Sequence, residues 1–158
     1  RSAEKNLQLY HQLSGRAGRE GKPANVYFQT FNSKPEIINQ ITSEDPFKFL
    51  DHELELRKKN NLPPYERFIS LILSSGNEKI LDQEAMKLKE ILTNSINEKI
   101  LGPVDAPIFK INRKFRIRLL IRAKKNSKIQ RKLKIILKEF KFSPGMKLTV
   151  DVDPITFN

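Results

Sequence analysis

The chain is 158 residues long, carries a formal net charge of +12, and is 38% hydrophobic with no cysteine. That composition excludes disulfide scaffolds and cysteine-held metals, and no apolar run is long enough to span a bilayer. The length suits one ordinary domain, or a small domain plus a fragment, and a chain that starts at Arg1 reads as a piece of a longer, cytoplasmic protein.

Residues 4–19 read as a helix that runs into Gln12-Leu13-Ser14-Gly15-Arg16-Ala17-Gly18-Arg19. On a helix, Gln12, Arg16 and Arg19 fall at i, i+4 and i+7, which puts an amide and two guanidiniums on one face. A glycine costs a helix interior about 1 kcal/mol against alanine. Gly15 and Gly18 together therefore mark a helix that ends there, or one that lets another backbone or a ligand come close. Two planar cations beside bare backbone suit a polyphosphate. The plainer alternative is a basic helix end.

Gly21-Lys22-Pro23 breaks that helix, Val26 to Phe31 reads as a strand, and Pro35 to Ile41 as a short helix. Asp45-Pro46 is a good helix start, with Phe47, Leu50 and Leu54 at helical spacing and Arg57-Lys58-Lys59 suited to its C-terminal end. Leu62-Pro63-Pro64-Tyr65 stops it and sets the expected boundary between a first domain, 1–62, and a second, 63–158.

The second domain has a regular plan. Arg67 to Ser74 is an apolar strand, and Lys79 to Asn97 a helix with Leu81, Ala85, Leu88, Leu92 and Ile96 on one face. Leu101-Gly102-Pro103 reads as a turn and Pro107 to Ile111 as a short strand. Phe115, Ile117, Leu119 and Ile121 then alternate with Arg116, Arg118, Leu120 and Arg122, the period of a half-buried strand. Ile129, Leu133, Ile136, Leu137 and Phe140 mark a second amphipathic helix, and Lys147 to Val152 a last strand. The order β-α-β-β-α-β predicts a ferredoxin-like split sheet with both helices on one face.

Between Lys110 and Lys147 lie fifteen Lys and Arg against one acid, Glu139, so the rest of the chain is near neutral. A surplus so localised points to a polyanionic partner, most simply nucleic acid. Lys114, Arg116, Arg118 and Arg122 are the candidate contacts, on a strand face that suits a phosphate track or an acidic peptide; an ordinary solvated β-face is the plainer alternative.

Gln-x-x-Gly-Arg-x-Gly-Arg resembles the last conserved motif of superfamily 2 helicases. Further blocks follow in order: Val26-Tyr27-Phe28-Gln29-Thr30, Asp45-Pro46-Phe47-Lys48-Phe49, Glu53-Leu54, Arg57, Pro63-Pro64-Tyr65, Leu101-Gly102-Pro103, Ala106-Pro107-Ile108, Lys114-Phe115-Arg116 and Asp151-Val152-Asp153-Pro154. Together they resemble the end of the motor and the C-terminal domain of the primosomal protein N′ family of bacterial replication-restart helicases. Arg118 stands where glutamine is frequent in that family.

The resemblance implies the remnant of a RecA-like helicase lobe followed by the split-sheet domain, in an ATP-driven 3′–5′ DNA translocase that acts at stalled forks. Arg19 would be the arginine finger on the γ-phosphate of ATP, with Arg16 beside it, Gln12 bridging nucleotide and lobe, and Gly15 and Gly18 against the nucleotide. The partners implied are forked and single-stranded DNA, single-stranded DNA-binding protein and other primosome proteins, with no membrane. ATP and Mg²⁺ would be bound by the intact parent, and zinc by its upstream part.

The chain itself has no Gly-x-x-x-x-Gly-Lys-Ser/Thr loop, since Gly21-Lys22 is followed by Pro23. No ATPase is expected of it alone, and no metal site, two carboxylates such as Asp151 and Asp153 being too few ligands. Asp51-His52-Glu53 reads as a solvated helix face. The rival functions are a non-enzymatic nucleic-acid-binding module and an adaptor for an acidic peptide.

Overall fold

The computed structural model describes residues 5, 7–9, 12–13, 25, 27, 29, 31 and 46–155. The chain divides into two units, 1–59 and 60–158. In the first, the described residues between Lys5 and Leu13 are helical, with Leu7 buried. Tyr27 and Gln29 belong to no strand, although a strand was expected there, and Tyr27 is almost fully exposed. A β-branched and aromatic run makes a strand only where a neighbour completes its ladder.

Helix α1 spans Pro46–Lys59 and ends on Arg57, Lys58 and Lys59, whose charges oppose the negative end of the helix dipole. Its buried stripe is not the expected Leu50 and Leu54, which are about 40% exposed. Phe49 and Arg57 are buried instead, with Glu53 half-buried between them. The Arg57 Nε donates to Glu53 Oε1 at 3.0 Å, and its Nη2 lies 3.0 Å from the same oxygen. Glu53 is thus paired one turn away and is no part of a solvated face.

The second unit is mixed α/β. Strand β1 (Glu66–Ser75) is followed by helix α2 (Glu78–Ser95), strands β2 (Lys99–Ile111) and β3 (Lys114–Lys124), helix α3 (Ile129–Glu139) and strand β4 (Lys147–Val152). The four strands form one antiparallel sheet in the order β2-β3-β1-β4. Asn77 caps α2, its side-chain oxygen accepting from the Ile80 amide at 3.3 Å. Four leucine and alanine positions of α2, Leu81, Ala85, Leu88 and Leu92, are sealed from solvent.

They pack on the inner face of the sheet. Register pairs Ile69 with Ile121, Leu71 with Leu119 and Leu73 with Ile117, so these six side chains share one side. Ile129 and Leu133 of α3 join the same core. Each such fully buried aliphatic side chain contributes about 1.5–3 kcal/mol, and this layer fixes which side chains of β3 turn away from it.

The expected turn at Leu101-Gly102-Pro103 lies inside β2, which is longer than its sequence suggests. Leu101 pairs with Leu120 and Val104 with Arg118, so Gly102 and Pro103 together oppose Leu119 as a bulge. Gly102 has φ +95, and a Cβ there would stand 2.6 Å from the Arg118 carbonyl oxygen. Only glycine allows that approach. Pro103 is tolerated because β2 is an edge strand. The turn is at Asn112-Arg113, with φ +49 and +63, the double left-handed geometry of a two-residue hairpin.

At the other end of the sheet Asp153 ties β4 to β1. Its amide donates to the Phe68 carbonyl at 2.6 Å, its Oδ1 accepts from the Phe68 amide at 3.0 Å, and its Oδ2 accepts from Arg67 Nε at 3.2 Å. This carboxylate staples β4 to β1.

Candidate nucleic-acid interface

The alternation of β3 places Lys114, Arg116, Arg118 and Arg122 on the face of the sheet opposite the core. Register sets Arg122 beside Phe68, Arg118 beside Ile72 and Arg116 beside Ser74. The structure therefore brings the four expected contacts into one row. It does not leave them equally open. Lys114 is exposed, whereas Arg116, Arg118 and Arg122 are half-buried, and Phe68 and Ser70 on the same face are buried.

Arg122 is held by several partners. Its Nε and Nη2 donate to Glu66 Oε2 at 3.2 and 3.1 Å, and Nη2 also donates to the Asn61 carbonyl at 3.0 Å. Its guanidinium carbon lies 5.5 Å from the centre of the Phe68 ring. One planar fork thus holds the entrance of β1 and the turn before it, a geometry lysine could not copy. Arg116 Nη1 donates to the Ile108 carbonyl at 3.4 Å, a weak bond that a ligand can displace.

The accessible charge lies at the two ends of the strand and beyond it. Lys110, Arg113 and Lys114 cluster at the tip of the β2–β3 hairpin, all exposed. The Lys110 ammonium sits 4.5 Å from the centre of the Phe115 ring, which meets the Phe109 ring at 5.4 Å with the planes tilted by 55°. At the other end of the strand and after it, Lys124, Lys125, Lys128, Arg131 and Lys132 are exposed as well. Lys110, Arg113 and these later cations were not among the four contacts expected from the strand. The charge count from Lys110 to Lys147 already included them, but a count does not say which side chains folding ties down.

Of the nucleotide motif, Gln12 is helical and exposed. Gly15, Arg16, Gly18 and Arg19 lie outside the described residues. Asp151 and Asp153 hold no common ligand geometry: Asp153 is committed to Arg67 and to the β1 backbone, and among the described residues no group of three His, Asp or Glu could hold a metal ion. Among the same residues no helix is long and apolar enough to cross a membrane.

What this arrangement can do chemically is bind a polyanion by charge, with an aromatic pair at the hairpin tip and donors spaced along strand and loop. The family model described as the primosomal protein N C-terminal domain matches residues 58–155. Among curated proteins, the chain is similar to the replication restart protein PriA of Rickettsia prowazekii, 39% identical over 158 residues that cover 99% of this chain and 24% of that protein. The replication restart protein PriA of Bacillus subtilis is 32% identical over 159 residues, 98% of this chain and 20% of that protein. That of Thermotoga maritima is 32% identical over 155 residues, with the same two shares. The chain thus spans about a quarter or less of the length of these relatives.

Proposed function

The chain belongs to the primosomal protein N C-terminal domain family, and from that membership we propose that it is the C-terminal part of an ATP-dependent 3′–5′ DNA helicase that binds stalled forks and restarts replication by primosome assembly. The replication restart proteins it resembles over 98–99% of its length support the role. The motif Gln12 to Arg19 supports the motor assignment.

In this reading residues 1–62 end a RecA-like lobe, and Arg19 and Arg16 reach the γ-phosphate of an ATP·Mg²⁺ held by the other lobe. A preplaced guanidinium stabilises the charge that develops on the transferred phosphoryl oxygens. Gln12 contacts nucleotide and lobe interface, and Gly15 and Gly18 admit the nucleotide closely. Zinc belongs to the upstream part of the parent. The second unit is a ferredoxin-like domain, a reading supported by its β-α-β-β-α-β chain order with sheet order β2-β3-β1-β4. Its work is to contact forked and single-stranded DNA, single-stranded DNA-binding protein and primosome partners in the cytoplasm.

The observation that carries the DNA-binding half of the proposal is the exposed cation set at the hairpin tip, Lys110, Arg113 and Lys114, continued by Lys124 to Lys132. The motor half is tested in the intact parent. Arg19→Ala is expected to lower ATP turnover by about 10³-fold while DNA binding persists. Turnover near that of the unaltered enzyme would end the finger assignment. The 158-residue chain alone is expected to hydrolyse no ATP, because it contains no phosphate loop.

A further inference from the structure

Strand β4 ends the sheet, and among the described residues its outer edge pairs with nothing. The bond from the Asp153 amide to the Phe68 carbonyl sets the alternation of the β1–β4 ladder. It follows that Leu148, Val150 and Val152 turn their N–H and C=O groups away from β1, toward the open edge. Val150 is 46% and Val152 40% exposed. Natural sheets blunt such edges with charge, proline or a bulge. On β4 the only charged residues, Lys147 and Asp151, alternate onto the other face, beside Ser74 and Ser70.

The core side of this edge is a groove of about 540 Å³ between β4 and α3. Its floor is Leu148, Val150, Leu133 and Leu137, and its rim on α3 carries Lys134 and Lys138, one turn apart. Both lysines are exposed, and neither has an ion pair among the described residues. Unpaired backbone donors and acceptors, an aliphatic floor with alternate-residue spacing, and a row of ammonium groups call for one kind of occupant. Nucleic acid would use the lysines alone, since the lining has no aromatic ring on which bases could stack. A second copy pairing through the same edge would bring its own Lys134 and Lys138 toward this rim.

We propose that the groove between β4 and α3 receives an extended segment of a partner protein, alternating apolar and acidic residues, which adds to the sheet as a fifth strand. Its apolar side chains fill the floor and its carboxylates meet Lys134 and Lys138. The surface lies on the opposite face of the sheet from the arginines of β3, so it stands or falls apart from the DNA reading.

The test uses the full 158-residue chain and a short fluorescein-labelled peptide of alternating isoleucine and glutamate, followed by anisotropy. The peptide is expected to bind, and its lysine counterpart is not. Lys134→Glu with Lys138→Glu is expected to weaken binding by about tenfold or more. Val150→Pro should do the same, because it removes one outward N–H and leaves the bonds to β1 in place. If Val150→Pro loses its circular dichroism, the charge reversal alone decides. Binding that survives the charge reversal, equal binding of the lysine peptide, displacement by a single-stranded oligonucleotide, or a dimer that Val150→Pro dissociates would each overturn the proposal, the last two in favour of nucleic acid and of self-association.

Discussion

Two cations near the ends of strand β3 carry the same charge and stand in opposite surroundings. At one end Arg122 is gripped by Glu66, the Asn61 carbonyl and the Phe68 ring. At the other, Lys114 and its neighbour Arg113 stand in the open at a hairpin tip. Both ends belong to one alternating row, and only their neighbours differ. A basic residue on a strand is therefore read by what it touches: a guanidinium already satisfied by protein is part of the scaffold, and only an exposed cation is open to the polyanion proposed above.

That contrast is best broken by substituting each end. Arg122→Ala is expected to have the largest effect on folding, about 2 kcal/mol in urea denaturation, because Glu66 and the Asn61 carbonyl both lose their donor. Its effect on the salt dependence of DNA binding should be small. A large change in that dependence with no loss of stability would reverse the assignment of this end.

Lys114→Ala is expected to do the converse. Loss of one phosphate contact should lower affinity for single-stranded DNA by about fivefold near 0.1 M salt and flatten the slope of log K against log salt by about 0.7, with the unfolding midpoint unchanged. An unchanged slope would remove Lys114 from the interface. The smallest effect sharpens the same point. Arg113 occupies a left-handed position at φ +63 where glycine is at ease. Arg113→Gly should stabilise the hairpin by about 0.5 kcal/mol while weakening DNA binding. A gain in stability with no loss of binding would mean that the side chain contributes nothing at the tip.

Much of this architecture was legible beforehand. The period-two alternation from Phe115 to Arg122 placed β3 with its arginines away from the core, and the stripe Leu81-Ala85-Leu88-Leu92 named the buried face of α2. Such signals are local, set by the repeat of one element. What escaped was decided by contacts far apart in sequence or by unusual backbone. Gly102-Pro103 looked like a turn because the same residues serve turns and bulges. The real turn was hidden because Asn112-Arg113 lacks the usual glycine. In α1 the spacing of Leu50 and Leu54 was as regular as that of Phe49, Glu53 and Arg57, and periodicity alone could not choose between the two stripes. The split of the β3 cations into held and open groups depended on Glu66 and Asn61, more than fifty positions away. The proposed nucleotide contacts Arg16 and Arg19 rest on their motif, since both lie outside the described residues.

The staple at Asp153 has a consequence for how this domain is made. Its carboxylate reaches Arg67 and Phe68 across 86 and 85 positions of sequence. As the ribosome releases the chain, the greasy run from Phe68 to Leu73 emerges well before either of its flanking strands. For that interval it has two bare sides and a strong tendency to stick to other nascent chains. Until those strands follow, the first strand of the sheet is the segment of this domain most open to wrong pairing.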